Sequence, residues 1–163
     1  MLIHNFYEKM YDYILEKLPY KSSFRFVDSI VMLDENGVTG NYTLKNNAFF
    51  YEDHFPGNPV TPGVILTEIM AQIGLVTLGI YIILNTPEDT GTKPGELIFP
   101  LLTSTDVSFF KMVVPGQKLT VISKKEYFRF NKLKCYIEMF DGGNELVARG
   151  TFAGLIRKMN IKS

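Results

Sequence analysis

The sequence predicts an α+β domain in which several antiparallel strands surround one long apolar helix. Residues 62–85 form the longest apolar stretch of the chain, and a helix that is apolar all round needs cover on most of its sides. From residue 96 onward, apolar and polar side chains alternate as in strands with one buried face. Turn-forming residues separate these strands at short intervals, which favours antiparallel neighbours.

Composition limits the class of protein. The chain has 163 residues, of which 46% are hydrophobic and 21% charged. These values suit one domain over residues 1–163 and exclude a disordered chain. One Cys and two His exclude a disulfide framework and leave little for a metal site, so we expect no metal. The first ten residues lack the apolar core of a signal peptide, so we expect a cytoplasmic protein.

The first 45 residues are predicted to form a helix and a β-hairpin. Residues 5–18 carry apolar side chains at helical spacing, which would form one buried stripe. These side chains are Phe6, Met10, Tyr13, Ile14 and Leu18. Pro19 ends the helix. Two strands follow over residues 24–33 and 38–44, joined by a turn whose residues are Asp34, Glu35, Asn36 and Gly37.

The long apolar stretch is predicted to be a core helix. Thr61 is a suitable N-cap residue and Pro62 a suitable first helical residue. Glu68 and Gln72 interrupt the apolar run, and the uninterrupted part is only residues 73–84. This length is too short for a membrane span and typical of a buried helix. We therefore expect no membrane insertion.

The last third of the chain is predicted to be strands. Residues 132–140 give the clearest alternation, with Leu133, Cys135, Ile137 and Met139 on the buried face. A turn over residues 141–144 leads to a strand over 145–157, and residues 117–130 are expected to pair with one of these strands.

Charge is balanced overall but is divided between the two parts of the chain. A net charge of zero argues against a protein that binds nucleic acid through bulk charge. Residues 1–100 hold 6 basic and 12 acidic side chains, whereas residues 101–163 hold 11 and 5. The basic part either faces an anionic partner or forms a solvated strand face, and the sequence leaves both alternatives open.

Residues 49–72 carry the candidate chemistry. Pro and Gly fix the shape of the loop that holds His54. Gly63 falls in the first helical turn, where a free N–H can donate to a carbonyl oxygen as it becomes negative. Glu68 lies among apolar neighbours, so burial favours its protonated form, which can act as a general acid. Gln72 follows one turn later and is placed to orient that carboxyl.

A base, an oxyanion donor and an acid together suit one reaction class. They can remove a proton next to a carbonyl and expel a β-hydroxyl, which is a dehydration. Structural alternatives remain for each residue. A single His in a loop is usually a surface or packing residue, and a buried Glu can serve only a structural hydrogen bond.

The central segment resembles a known family. Its residues run His54-Phe55-Pro56-Gly57-x-Pro59-Val60-x-Pro62-Gly63-Val64, followed by Glu68 and Ala71-Gln72. This pattern is similar to the signature of the β-hydroxyacyl-[acyl-carrier-protein] dehydratases of the FabZ/FabA type. The resemblance implies a hotdog fold, in which a curved antiparallel sheet wraps a long central helix. It implies a homodimer with His54 of one chain facing Glu68 of the other, and some members assemble as trimers of dimers.

The resemblance also implies a reaction and a set of roles. The family dehydrates (R)-3-hydroxyacyl thioesters, linked through phosphopantetheine to acyl carrier protein, to trans-2-enoyl thioesters without a cofactor. By this resemblance His54 takes the proton from C2, the Gly63 N–H holds the thioester oxygen, and Glu68 protonates the departing hydroxyl. Gln72 orients Glu68. The neighbouring Phe55 and Val64 are predicted to bind substrate.

One departure and one extension accompany the resemblance. Asp53 stands where the family usually has Gly before the histidine, although Asp tolerates many of the same conformations. Carrier proteins of this pathway are acidic, so basic residues of the second part of the chain are candidates for docking the carrier. These residues are Lys111, Lys124, Lys125 and Arg129.

Two alternative functions remain at this stage. A hotdog acyl thioesterase would use a helix carboxylate to activate water on the thioester, but it leaves the His54 loop unexplained. A non-catalytic acyl-binding paralogue is weakly favoured by Asp53, and the presence of His54 and Glu68 argues against it.

Overall fold

A six-stranded antiparallel sheet wraps around one long helix. The computed structural model describes residues 2–86 and 96–160. Within them lie helix α1 (Leu2–Glu16), the central helix (Gly63–Leu84) and six strands. The strands are β1 (Ser29–Leu33), β2 (Gly37–Thr43), β3 (Glu96–Phe109), β4 (Lys118–Arg129), β5 (Lys132–Asp141) and β6 (Leu146–Asn160). Their order across the sheet is β1-β2-β4-β5-β6-β3. The α+β prediction is thus confirmed.

The central helix is the core of the domain. Its length and composition would allow it to cross a membrane, but 78% of its most apolar window is buried inside the domain. Gly74 and Gly79 let the sheet approach closely, because a Cβ there would lie 2.5 and 2.6 Å from side-chain atoms of Ile137 and Ile156. The Ser123 hydroxyl, on β4, donates to the Gly74 carbonyl at 2.7 Å. The prediction of a buried helix in place of a membrane span is correct.

The middle of the central helix is wider than an α-helix. Residues Gln72–Thr77 form a π-helical segment between two α-helical parts. The Thr77 hydroxyl donates to the Gln72 carbonyl five residues earlier, at 2.9 Å. Such segments are rare and usually mark a local functional or packing demand. Here the segment begins at Gln72, the residue that the sequence pairs with Glu68.

The strand predictions in the last third are confirmed. Leu133, Cys135, Ile137 and Met139 are fully buried. β5 pairs with β4 on one side and β6 on the other. In the turn after β5, the Asp141 carboxylate accepts hydrogen bonds from the backbone N–H groups of Gly143 and Glu145.

Several boundaries differ from the predictions. Helix α1 ends at Glu16, two residues earlier than expected, and the first strand begins at Ser29, so residues 24–28 are not part of the sheet. Thr61 is not the N-cap of the central helix; Pro62 is, and it makes no side-chain capping bond. The Thr61 hydroxyl bonds the Tyr51 hydroxyl at 2.6 Å, so it is already committed to the loop. The predicted loop over residues 86–95 lies almost wholly outside the described residues.

Candidate active site

A short loop holds His54 in one orientation. The backbone N–H of His54 donates to the Phe50 carbonyl, and the Val60 N–H returns a bond to the His54 carbonyl, each at 3.1 Å. The ring atom Nδ1 lies 2.9 Å from the Val60 carbonyl oxygen. Because a carbonyl only accepts, Nδ1 carries the proton in the neutral ring, and Nε2 keeps the lone pair of a base. The ring stacks on Phe55 with a centroid distance of 4.2 Å.

The first turn of the central helix shares a cavity with His54. The cavity measures about 440 Å³, and His54, Phe55, Gly63 and Phe109 are among its lining residues. Gly63 is the first helical residue, so its N–H has no partner within the helix. The Thr61 N–H donates to the Val113 carbonyl at 2.7 Å, which ties the helix start to the chain after β3. The structure thus brings together the predicted base and the predicted oxyanion donor.

Glu68 is held by the buried amide of Gln72. Gln72 Nε2 donates to Glu68 Oε1 at 2.8 Å and to the Phe24 carbonyl at 2.9 Å. Gln72 Oε1 accepts from the Phe26 N–H at 2.8 Å. The predicted Glu68–Gln72 contact is therefore present. Burial raises the pKa of Glu68, and the hydrogen bond from Gln72 acts in the opposite direction as the smaller effect.

His54 and Glu68 of one chain line different cavities. Glu68 lines a second cavity of about 200 Å³, together with Tyr20 and residues 100–102 of β3. Val64, one of the predicted substrate-binding residues, follows Gly63 in the helix, is 75% exposed and lines neither cavity. One chain therefore has the predicted base and the predicted oxyanion donor at one cavity and the predicted acid at another.

The predicted docking residues fall in two places. Lys111 lines the His54 cavity, but its ammonium group bonds both Asp141 (2.5 Å) and Glu145, so its charge is already offset. The other three lie in the second half of β4, whose residue Phe128 lines a cavity with the last turn of the central helix. These three are Lys124, Lys125 and Arg129. None of these three residues lines the His54 cavity.

Sequence reasoning missed one polar residue of the site. Tyr20 lies beside Glu68 in its cavity, but it belongs to the irregular segment between α1 and β1. Its proximity to Glu68 depends on how residues 20–26 fold over the helix. No periodicity or spacing in the sequence reports that arrangement.

Comparison with known families settles the relationship. The profile of the FabA-like domain family matches residues 18–142 of this chain. The chain belongs to the FabA-like family. It is 37% identical over 137 residues to 3-hydroxyacyl-[acyl-carrier-protein] dehydratase FabZ of Caldicellulosiruptor saccharolyticus, covering 79% of this chain and 90% of that relative. It is 35% identical over 123 residues to FabZ of Acinetobacter baylyi, covering 72% and 78%. The resemblance stated from the sequence is confirmed.

Solved structures with this fold include a dehydratase complex and members of the thioesterase superfamily. The dehydratase heterocomplex ApeI:P from Xenorhabdus doucetiae superposes with a TM-score of 0.69 at 12% identity, covering 88% of this chain and 90% of that chain. A thioesterase superfamily member from Thermus thermophilus superposes with a TM-score of 0.55 at 15% identity, covering 78% and 85%. At such identities the similarity establishes the hotdog fold alone.

The raised pKa of Glu68 predicts how stability depends on pH. The folded protein keeps a proton on Glu68 at pH values where the unfolded chain, with its ordinary carboxyl pKa of 4.5, has released it. The free energy of unfolding contributed by this group therefore falls as pH rises from 4.5 through the folded-state value. Glu68→Gln keeps the acceptor for Gln72 but cannot ionise. We expect its stability relative to wild type to increase over that interval.

Urea unfolding across a pH series measures this difference. Glu35→Gln is the matched control, because Glu35 is an exposed carboxylate in the β1–β2 turn. The control should run parallel to wild type. A constant difference between Glu68→Gln and wild type at all pH values would show that the folded and unfolded pKa values of Glu68 are equal.

Proposed function

We propose that this protein dehydrates (R)-3-hydroxyacyl-[acyl-carrier-protein] to trans-2-enoyl-[acyl-carrier-protein] in fatty-acid or related lipid biosynthesis. The observation that carries the proposal is the orientation of His54. Its Nδ1 donates to the Val60 carbonyl, which leaves Nε2 as the basic nitrogen. His54 shares a cavity with Gly63, the first residue of the central helix. The FabZ relatives, which are named as dehydratases, support this assignment.

The proposed dehydration begins with removal of a proton from C2 and ends with loss of water. His54 Nε2 takes a proton from C2, and the electron pair moves onto the thioester oxygen, where the Gly63 N–H stabilises it. When the carbonyl re-forms, the pair becomes the C2–C3 double bond and the C3–O bond breaks. Glu68 gives its proton to the departing oxygen, which leaves as water. Proton exchange then restores neutral His54 and protonated Glu68.

The contacts around the base suit an acyl chain. Phe55 stacks on the imidazole, and Val64 presents an exposed apolar side chain one residue after the oxyanion donor. We assign both to substrate binding. No cofactor enters the proposed steps, because the base, the oxyanion donor and the acid are all side-chain or backbone groups.

The thioesterase alternative has no specific support. Thioesterases are among the structural neighbours, but at sequence identities of 15% or less the similarity shows only a shared fold. The non-catalytic alternative is likewise not favoured, since both the His54 and the Glu68 arrangements are intact. A cytoplasmic location stays a prediction.

We propose that two chains form a homodimer through β3. This strand is at the edge of the sheet, with β6 as its one neighbour, and is 14 residues long. It exposes large apolar side chains, including Leu101 at 50% and Phe109 at 47%. A long, apolar edge strand exposes unpaired backbone groups and apolar side chains, so it readily pairs with a strand of another chain. A trimer of such dimers stays a prediction.

Two-fold pairing of β3 would unite the two cavities. In an antiparallel pair of identical strands, the first half of one lies beside the second half of the other. The Glu68 cavity contacts residues 100–102, and the His54 cavity contacts Phe109 at the end of the strand. The dimer would therefore place His54 of one chain near Glu68 of the partner subunit.

Turnover tests the proposed reaction. Enoyl absorbance is followed with a 3-hydroxyacyl-[acyl-carrier-protein] over several chain lengths. We expect His54→Ala and Glu68→Gln each to lower kcat by about 10²–10⁴-fold, the usual contribution of a general base or acid. His4→Ala and Glu35→Gln are the controls and should retain wild-type rates. Wild-type protein that binds acyl carriers without turnover would support the non-catalytic alternative, and release of free carrier thiol would support the thioesterase.

Mixing two inactive variants tests whether the site is shared. A heterodimer of His54→Ala and Glu68→Gln chains has one site with both defects and one intact site. After subunit exchange at equal concentrations, half of the dimers are heterodimers, so we expect about one quarter of wild-type activity. Each variant taken alone through the same exchange is the control. If both residues of a site came from one chain, every site would keep a defect and no activity would return.

The carrier-docking role remains a proposal for the three basic residues in the second half of β4. Among the described residues, none forms an ion pair with Lys124, Lys125 or Arg129, in contrast to Lys111. We expect the double variant Lys124→Glu/Lys125→Glu to weaken carrier-protein binding about tenfold at low salt and less at high salt. Lys118→Glu, at the exposed start of the same strand, is the control. Equal affinities for wild type and the double variant would exclude this surface.

A further inference from the structure

Tyr20 shares the cavity of Glu68. The cavity of about 200 Å³ is lined by eight residues, and Tyr20 and Glu68 carry its polar side chains. The other lining residues are Ala71, Leu75, Val76, Pro100, Leu101 and Leu102. A substrate hydroxyl that enters this apolar space to reach Glu68 therefore meets the phenol of Tyr20 as the second polar side chain.

The position of Tyr20 is fixed by the same contacts that fix Glu68. Its ring packs against Phe24 with a centroid distance of 6.2 Å. The Phe24 carbonyl accepts a hydrogen bond from Gln72 Nε2, the atom that also donates to Glu68. One amide thus holds both the carboxyl and the chain segment that carries the phenol, so their relative position is set before substrate binds.

Each of the two groups has hydrogen-bonding capacity left. Gln72 occupies Glu68 Oε1, and no described residue donates to Oε2. The Tyr20 hydroxyl has no hydrogen-bond partner among the residues that the structure describes. Because no unpaired side-chain N or O atom of those residues is fully buried, this hydroxyl is not fully buried either. Burial, and to a smaller extent the nearby charge of Glu68, raises the pKa of Tyr20 well above its usual value. The phenol therefore stays protonated, and remains a donor, throughout the neutral range.

We propose that the Tyr20 hydroxyl donates a hydrogen bond to the C3 oxygen of the substrate, so that Tyr20 and Glu68 together form the pocket for the leaving hydroxyl. This inference rests on the proposed dehydration. Glu68 supplies the proton that the departing oxygen takes up, whereas Tyr20 keeps its own proton and stabilises the negative charge that develops on that oxygen. Tyr20 is then a residue that selects 3-hydroxyacyl chains over chains that lack the hydroxyl.

Tyr20→Phe removes the hydroxyl and keeps the ring that packs on Phe24. We expect kcat/KM for a 3-hydroxyacyl thioester to fall about tenfold, the usual loss for one hydrogen bond to a polarised oxygen. The affinity for a saturated acyl thioester of equal length should change less than twofold. In binding assays, the preference of wild type for the hydroxyacyl over the saturated ligand should disappear in the variant.

Tyr42→Phe is the matched control. Tyr42 is a buried phenol whose ring packs on Phe26 with a centroid distance of 5.5 Å, and Phe26 packs on Phe24. Burial also raises the pKa of Tyr42, to about 12. It does not line the Glu68 cavity. The control should keep both the rate and the ligand preference, and thermal unfolding should show both variants folded.

The outcomes separate this inference from the proposed function. If wild type dehydrates, Glu68→Gln lowers kcat by about 10²–10⁴-fold and Tyr20→Phe matches wild type, the Tyr20 inference is overturned and the dehydratase proposal stands. Equal weakening of both ligands in Tyr20→Phe would assign Tyr20 a packing role only. If wild type shows no turnover, the proposed function fails. In that case the binding assay alone tests the Tyr20 inference. If Tyr20→Phe still prefers the hydroxyacyl ligand over the saturated one, the inference is overturned.

Discussion

The side-chain amide of Gln72 is the interaction on which the candidate site depends. It is fully buried and makes three hydrogen bonds, to Glu68, Phe24 and Phe26. An unpaired buried amide costs about 1–3 kcal/mol per lost partner, so this geometry is strongly preferred over alternatives. The amide therefore joins the central helix, the carboxyl and the segment before β1 into one unit. The π-helical segment begins at the same residue.

Helix geometry explains why Gly63 and Glu68 of one chain lie at two different cavities. Gly63 and Glu68 are separated by about 7–8 Å along the helix at 1.5 Å per residue. Gly63, as the first residue, keeps its N–H free for the His54 cavity. Glu68 is one and a half turns later and faces the segment of Tyr20 and the first half of β3. Both cavities touch the same edge strand, and in the proposed homodimer that strand joins an acid of one chain to a base of the other.

The sequence predicts well whatever depends on local pattern. The alternation of Leu133, Cys135, Ile137 and Met139 and the apolar run of the central helix both follow from burial, and both are confirmed. The Glu68–Gln72 contact follows from helical spacing. Predictions fail where a long-range partner competes with a local one: the Thr61 hydroxyl bonds Tyr51 and leaves the helix uncapped. Another contact that the sequence does not report joins Lys111 to Asp141 and Glu145, which lie 30 and 34 residues away in the chain.

The environment of Glu68 distinguishes between dehydration and hydrolysis, whereas the fold does not. A hotdog scaffold accommodates both dehydratases and thioesterases, so the chemistry is decided by what the helix carboxyl can do. A hydrolase needs a carboxylate that accepts a proton from water, which favours an ionised, solvated group. Burial among apolar residues raises the pKa of Glu68 and so favours the protonated form, which can give a proton to a leaving hydroxyl. The same burial that makes Glu68 costly to ionise therefore suits it to act as an acid.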